Sequence, residues 1–353
     1  MSDDLLFSVE QHIGLITLNR PQALNALTHA MILALHEQLE TWAADDNIHA
    51  LVIQATAGRA FCAGGDVRGL FEAGRRDPTE PLSFFRHEYR LNHFIHQLKK
   101  PYLAFMDGFT FGGGVGISLH GSHPVASERF LMAMPETSIG FFPDIGASHL
   151  LTRCPGAYGM YLALTGQRLD ASLAKSFGLV RAVIPSETWP LVLASLIETD
   201  LSTQAHERVN TCLMAYAQES ASASEHAHDI ATCFDKPHLE HIFLALKALD
   251  NPWAQETLAL LSEKSPMSLQ VTFMQIKRAQ GMSLLECLTQ DYSLAYHFMK
   301  NSDFYEGVRA LLIDKDKSPH WKPAALQSIL PKDVAAYFIP PPSDIIPLWS
   351  PNG

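Results

Sequence analysis

Pro101-Tyr102-Leu103-Ala104-Phe105-Met106, then Asp107-Gly108, then Gly112-Gly113-Gly114-Val115-Gly116 running on to Leu119, is the stretch whose reading decides the fold. An apolar run without alternation indicates a strand buried on both faces, as in a parallel sheet. Asp107-Gly108 turns that strand toward the glycine run, and Val115 to Leu119 enters a helix. Toward the N-terminus, Ala50 to Ala55 is a second strand of the same buried kind. Before it, Thr28 is placed to cap a helix with Met31, Leu35 and Leu39 along one face, ended by Asp45-Asp46-Asn47. Phe7 to Glu10 and Ile13 to Leu18 read as short strands about Gln11-His12, and Pro21 to Asn25 as a loop. Strand, helix and strand in this order indicate crossover units and an α/β class.

Toward the C-terminus, Arg59 to Asp66 is a loop with two adjacent glycines. Pro81 to Gln97 reads as a helix with Phe84, Phe85, Leu91 and Phe94 inside and Glu88 near its middle. A short strand at Arg129 to Met132, helices at Ala157 to Leu164 and Ser172 to Phe177, and a final strand ending at Pro185 complete this part. Beyond residue 188 the pattern is helical: Trp189 to Ile197, Ala205 to Ala217, Leu239 to Leu249, Trp253 to Lys264, Ser268 to Ala279 and Leu284 to Phe298. Gln218 to Ala227 is small and polar and reads as a mobile loop; Pro331 to Pro341 is an apolar tail broken by prolines. No internal repeat is visible. The expected organisation is an α/β core over residues 1–190 and a helical region over 191–353.

The 353 residues are 47% hydrophobic and 18% charged, with a formal net charge of -11, which fits a folded protein and argues against general binding of nucleic acid. Local cations for an anionic group are Arg20, Arg59, Lys99 and Lys100. The odd set of five cysteines shows neither disulfide nor metal spacing and suggests free thiols. Met1-Ser2-Asp3-Asp4 shows neither a secretory nor a transit pattern, and no long charge-free apolar run exists. The expectation is a cytoplasmic protein that uses no membrane, nucleic acid, metal or separate cofactor.

Two backbone turns and two carboxylates carry the chemistry. Gly112 to Gly114 could serve only a tight turn, but Gly113, opening a helix, is also placed to donate its N–H to an oxyanion. A phosphate loop would need a Gly-Lys-Ser/Thr that is missing. Ala63-Gly64-Gly65-Asp66 offers a second donor near Gly65; Asp66 reads mainly as a turn residue. Glu136, after Met134-Pro135, is either a helix cap or a general base or nucleophile. Asp144, after Pro143, is either a cap toward Ser148 or a partner that orients substrate or water. Glu88 is weaker on sequence grounds. His87, His120 and His123 stand in no triad-like motif, and Cys62 reads as a small core residue.

Asn19-Arg20-Pro21 with Ala23-Leu24-Asn25, Phe61-Cys62-Ala63-Gly64-Gly65-Asp66 and the glycine run resemble the enoyl-CoA hydratase/isomerase (crotonase) superfamily. Phe141-Phe142-Pro143-Asp144, Ala163-Leu164-Thr165-Gly166 and a C-terminal block are most similar to its 3-hydroxyisobutyryl-CoA hydrolase branch. That block holds Ser265-Pro266, Glu286-Cys287-Leu288 and Asp303-Phe304-Tyr305-Glu306-Gly307-Val308-Arg309-Ala310, continuing to Pro319 and Trp321. The resemblance spans nearly the whole chain. It implies a spiral of ββα units with a helical C-terminal region and an acyl-CoA thioester as substrate, coenzyme A being part of that substrate. Carried over, Gly65 and Gly113 form an oxyanion hole, while Glu88, Gly113, Glu136 and Asp144 contact substrate or catalyse. Arg20, Leu24 and Lys100 are candidates for the coenzyme A portion. The hydratases' two glutamates match Gly116 and Glu136 here, so one acid–base group is missing. The family's Gly-Gly-Gly after the aspartate stands as Gly146-Ala147-Ser148. The implied reaction is hydrolysis of 3-hydroxyisobutyryl-CoA or a close short 3-hydroxyacyl-CoA, as in valine breakdown. A hydratase or isomerase, or a binding protein without chemistry, are the alternatives, and a homo-oligomer is left open.

Overall fold

The apolar runs fold as strands in a computed structural model that describes residues 3–219 and 225–350. In chain order the elements are β1 Leu5–Glu10, β2 Ile13–Leu18, α1 His29–Ala44, β3 Ala50–Ala55, β4 Ala60–Cys62, α2 Val67–Arg76, α3 Pro81–Gln97, β5 Tyr102–Met106, β6 Phe109–Phe111, α4 Gly113–Leu119, β7 His123–Ala126, β8 Leu131–Ala133, a 3-10 turn Glu136–Ile139, α5 Ala147–Leu151, α6 Tyr158–Thr165, β9 Leu169–Asp170, α7 Ala171–Ser176 and β10 Ala182–Val183. After β10 the described regular elements are all helical: α8 Trp189–Glu198, α9 Ala205–Met214, α10 Ala227–Phe234, α11 Leu239–Ala248, α12 Pro252–Ser262, α13 Pro266–Arg278, α14 Leu284–Lys300, α15 Ser302–Val308 and α16 Pro331–Ala336.

One sheet runs β1-β2-β3-β5-β7-β10 and a smaller one β4-β6-β8-β9. The β1–β2 pair is an antiparallel hairpin; β2, β3, β5, β7 and β10 are parallel. From β3 to β8 consecutive strands alternate between the sheets: β3 then β4 then α2, β5 then β6 then α4. This is the repeating ββα pattern of a crotonase-like α/β fold, followed by a helical C-terminal region. Its repeats share hydrogen-bonding geometry and not residues, which is why the sequence shows no repeat.

The chain divides into two compact units, each drawn from three stretches: Met1–Asp66, Leu91–Met132 and Leu169–Ser222 in the first, Val67–Arg90, Ala133–Arg168 and Ala223–Gly353 in the second. In the first, Ile13, Val52, Leu103, Phe105, Val125 and Ala182 of the large sheet share a core with Val192 and Leu196 of α8 and Val209 and Leu213 of α9. Phe105 stacks on Trp189 at 5.0 Å between ring centroids. The Thr28 hydroxyl accepts the Met31 N–H at 3.2 Å and caps α1.

In the second unit Tyr161 on α6 sets its ring edge against Phe234 of α10 at 5.1 Å. The Glu136–Ile139 turn closes through Gly140 at φ +70° and lies on α15. A Cβ at Gly140 would meet the Asp303 carbonyl, and one at Gly307 would meet the Ile139 backbone.

Helices α2, α10, α15 and α16, the last in the stretch read as a tail, and strand β4, in the stretch Arg59 to Asp66 read as a loop, are among the elements the sequence did not reveal. Residues 225–227 and 218–219 of the expected Gln218 to Ala227 loop are described, and α10 begins at Ala227; the remainder of that stretch, like Met1 and Ser2, lies outside the described residues. All five cysteines are free and buried. Among the described residues no helix is long and apolar enough to cross a membrane.

Candidate active site

The first unit supplies the backbone donors. Strands β4 and β6 run parallel, pairing Ala60 with Phe109 and Cys62 with Thr110. Their C-terminal ends therefore lead into the two glycine turns side by side. Gly64 has φ +109°, a conformation that L side chains rarely adopt, and a Cβ there would come within 3.8 Å of the Gly113 nitrogen and 3.9 Å of Gly112 Cα. A Cβ on Gly114 would run into the Cys62 carbonyl. The turns pack backbone against backbone; at Gly114 the close approach requires glycine, and at Gly64 the backbone conformation does. Gly113 is the first residue of α4, so its N–H has no acceptor within the helix. Around Gly65, Leu27 N–H donates to Gly64 O at 2.8 Å and Asp66 N–H to Leu27 O at 2.9 Å, which fixes the turn without using the Gly65 amide.

Arg20 and Leu24 belong to the neighbouring loop of the same unit. Leu24 and Asn25 both have positive φ, 52° and 55°. The Asn25 side chain accepts from Arg20 N–H at 2.8 Å and donates to Ala60 O at 3.0 Å. The Arg20 guanidinium donates to Ala26 O at 3.0 Å and pairs with Asp66 at 3.3 Å. Lys100 stands differently: its ammonium donates to Trp42 O at 2.7 Å and Asp45 O at 2.6 Å, closing the C-terminus of α1. Its charge is accounted for by the fold. Arg59 lies over the Phe109 ring at 5.7 Å, and the Lys99 carbonyl meets His206.

The second unit carries the carboxylates. Glu88 on α3, Glu136 opening the 3-10 turn, and Asp144 before α5 are 2%, 8% and 6% exposed. Burial is the largest cause that raises all three pKa values, and repulsion by neighbouring carboxylates adds to it at Glu88 and Glu136. Glu88 is raised well above the ordinary range by burial, then by Asp144 and Glu136. Glu136 is raised well above it by burial and then by Asp144, against its own backbone hydrogen bond and Lys264. Asp144 is pushed up to about 7 by burial, opposed by the Tyr89 hydroxyl, which donates to Oδ2 at 2.8 Å. Oε1 of Glu88 and Oε2 of Glu136 are buried without a hydrogen-bond partner among the described residues. Burial biases these carboxyls toward the protonated form, and one that keeps its proton can pass it to a developing anion.

Residues that sequence reasoning missed support this cluster. The Asp144 loop continues through Ile145 at φ +55°, a strained value for a β-branched residue, and Gly146 at φ +71°. Asp291, fully buried on α14, accepts Gly146 N–H at 2.8 Å. Gln275 on α13 donates to Pro143 O and to Asp291 Oδ1, each at 2.8 Å. Lys264 is 7% exposed; it donates to Ser138 Oγ at 2.5 Å, and burial lowers its pKa to about 8. A polar residue within an apolar helix face was the available signal for Asp291 and Gln275. Of the histidines, His120 and His123 are buried, and His123 stacks on His206 at 5.4 Å, while His87 meets the Ser83 carbonyl one turn back.

The Enoyl-CoA hydratase/isomerase family pattern matches residues 13–338. The chain belongs to that family, and so to the crotonase superfamily of enzymes that act on acyl-CoA thioesters. It is 42% identical over 332 residues to the mitochondrial 3-hydroxyisobutyryl-CoA hydrolase of Xenopus tropicalis, covering 92% of this chain and 86% of that protein. It is 39% identical over 344 residues to the human protein of the same name, covering 96% and 89%. Among solved structures it is similar to a carnitinyl-CoA dehydratase from Mycobacterium thermoresistibile, with TM-score 0.89, 37% identity and coverage of 97% and 98%. It is also similar to an enoyl-CoA hydratase from Rhodobacter sphaeroides 2.4.1, with TM-score 0.87, 36% identity and coverage of 96% and 98%. The expectation of a cytoplasmic protein is overturned by these relatives, which carry mitochondrial names. Composition and free thiols do not discriminate between reducing compartments, so neither could have corrected it.

Proposed function

We propose that the chain hydrolyses the thioester of 3-hydroxyisobutyryl-CoA, or of a close short 3-hydroxyacyl-CoA, to 3-hydroxy-2-methylpropanoate and coenzyme A. The observation that carries this reading is Gly116. The resemblance matches it to the hydratases' first glutamate, and here the space beside it is taken by the Asn92 carboxamide, while Glu136 is retained. Water addition across a double bond loses one of its two acid–base groups; acyl transfer to water does not need both. The relatives named as 3-hydroxyisobutyryl-CoA hydrolases support the same choice over the hydratase and dehydratase titles of the solved structures.

In this reading the amides of Gly65 and Gly113 receive the negative charge that builds on the thioester oxygen. Glu136 works ionised, either attacking the carbonyl carbon to form an anhydride that water then opens or drawing a proton from the attacking water. The C–S bond breaks as the tetrahedral centre collapses, and the thiolate takes a proton. Asp144, titrating near neutrality, holds the 3-hydroxyl and is suited to carry that proton. Glu88 lines the acyl end. Arg20 and Leu24 meet the coenzyme A portion, the guanidinium facing its phosphates; Lys100 is left to its role in α1.

Incubation with 3-hydroxyisobutyryl-CoA and, separately, with crotonyl-CoA tests this, with free thiol as the readout. Thiol release from the first ester and none of note from the second is expected. Water addition to crotonyl-CoA or double-bond migration, without thiol release from either ester, would establish a hydratase or isomerase instead.

A further inference from the structure

Asn92 is wholly buried on α3, and both its Nδ2 and its Oδ1 lack a hydrogen-bond partner among the described residues. A side-chain amide offers two donors and an acceptor, and leaving all of them unpaired in a protein interior is costly. Such a group calls for an explanation in bound water or in a ligand. Its location supplies one. A Cβ on Gly116 would stand 2.7 Å from Nδ2 and 2.9 Å from Oδ1. The carboxamide therefore lies against the first turn of α4, the turn that begins with the Gly113 amide. The absent side chain at residue 116 gives it room. On α3 it follows Glu88 by four positions, one helical turn on.

We propose that Asn92 is a specificity-determining residue, its carboxamide hydrogen-bonding the hydroxyl of the acyl group. This rests on the hydrolase reading above and deepens it. A carboxamide does not titrate, so it replaces a hydratase's acid–base carboxylate by a neutral group that recognises without moving a proton. A hydroxyl both donates and accepts. The Asn92 N–H donates to its oxygen, and the carboxamide oxygen can accept its proton. A site built around an unpaired buried amide discriminates strongly against an acyl group lacking the hydroxyl, because that ligand leaves the amide unpaired after water is excluded.

The test compares 3-hydroxyisobutyryl-CoA with isobutyryl-CoA, which differs only in lacking the hydroxyl, in the wild-type chain and in Asn92→Leu. The expected result is a fall in kcat/KM for the hydroxy ester of about 100-fold or more, while the value for isobutyryl-CoA changes by less than about threefold. The effect should be the same at the acid and alkaline ends of the activity range, since an amide holds no titrating proton. A proportional fall for both esters, or no fall for either, makes Asn92 structural and overturns the inference. If Asn92→Leu does not fold, Gly116→Ala, whose new methyl would crowd the carboxamide, takes its place with the same expected signature. If the wild-type chain releases thiol from neither ester, the hydrolase reading has failed by itself. The two intact esters are then compared by calorimetry. An affinity gap that depends on the hydroxyl and closes in the variant upholds the role of Asn92, and a gap that persists, or none at all, overturns it.

Discussion

At Glu136 two influences oppose each other. Burial and the neighbouring Asp144 favour the protonated acid, while Lys264 favours the ion that the proposed chemistry needs. Lys264 is itself strained by burial, and its pKa falls to about 8. Removing a cation from beside a carboxylate raises that carboxylate's pKa. Lys264→Met is therefore expected to move the acid limb of the kcat/KM profile upward by about one pH unit. An unmoved limb, with activity lowered evenly at all pH values, would leave Lys264 a packing residue. At this scale Gly113, Glu136 and Asp144 were legible, since a glycine run and carboxylates in apolar sequence are conspicuous. Tyr89, Asn92, Lys264 and Asp291 were not. Their importance comes from contacts such as Tyr89 with Asp144, which join residues far apart in sequence.

The element that presents Asp144 is a short loop with two successive left-handed residues, Ile145 and Gly146, the first of them β-branched. Such backbone strain persists only where surrounding contacts over-determine it. Asp291 and Gln275 supply those contacts through Gly146 N–H and Pro143 O. Gln275→Leu removes both donations of that amide and leaves a buried carbonyl and carboxyl short of a partner. The expected cost is about 2–4 kcal/mol in urea unfolding, with a loss of turnover larger than the change in KM. Wild-type stability and turnover in this variant would mean that the loop holds itself. The long apolar strands and the amphipathic helices α1 and α3 were readable as elements. Helix α2 was hidden because Val67–Arg76 carries two glycines and only Leu70 and Gly74 are buried, too few to show an apolar face. Helix α15 was hidden by its seven residues, and α10 by the small polar stretch that leads into it.

Across the whole molecule, burying Glu88, Glu136, Asp144 and Asp291 makes stability depend on pH in a defined direction. Each has a raised pKa in the folded state, so the folded chain binds more protons than the unfolded one. For Asp144 the stabilising contribution is complete below its unfolded value of 3.8 and disappears as pH rises through about 7. His123, lowered to about 4 by burial, His206 and Arg181, acts oppositely between that value and 6.5. The comparison that isolates Asp144 is Asp144→Asn, whose amide oxygen still accepts from Tyr89. The variant's melting temperature should gain on the wild type as pH rises from about 4 to about 7, and hold its lead above that. A constant difference would mean that Asp144 is ionised in the folded chain at all these pH values. The α/β class was legible from the order of buried strands and helices. How the chain distributes itself between two compact units was not, because each unit gathers three separated stretches whose association no local pattern records.

In the proposed reaction water cuts a thioester with Glu136 as the working carboxylate. Its most direct measurement is the stoichiometry of free coenzyme A and free 3-hydroxy-2-methylpropanoate formed from 3-hydroxyisobutyryl-CoA by the wild-type chain and by Glu136→Gln. One thiol and one hydroxy acid are expected for each ester consumed, with turnover lowered about 10²–10⁴-fold in the variant and substrate binding retained. Consumption of the ester without free thiol, or near-normal turnover in Glu136→Gln, would contradict it.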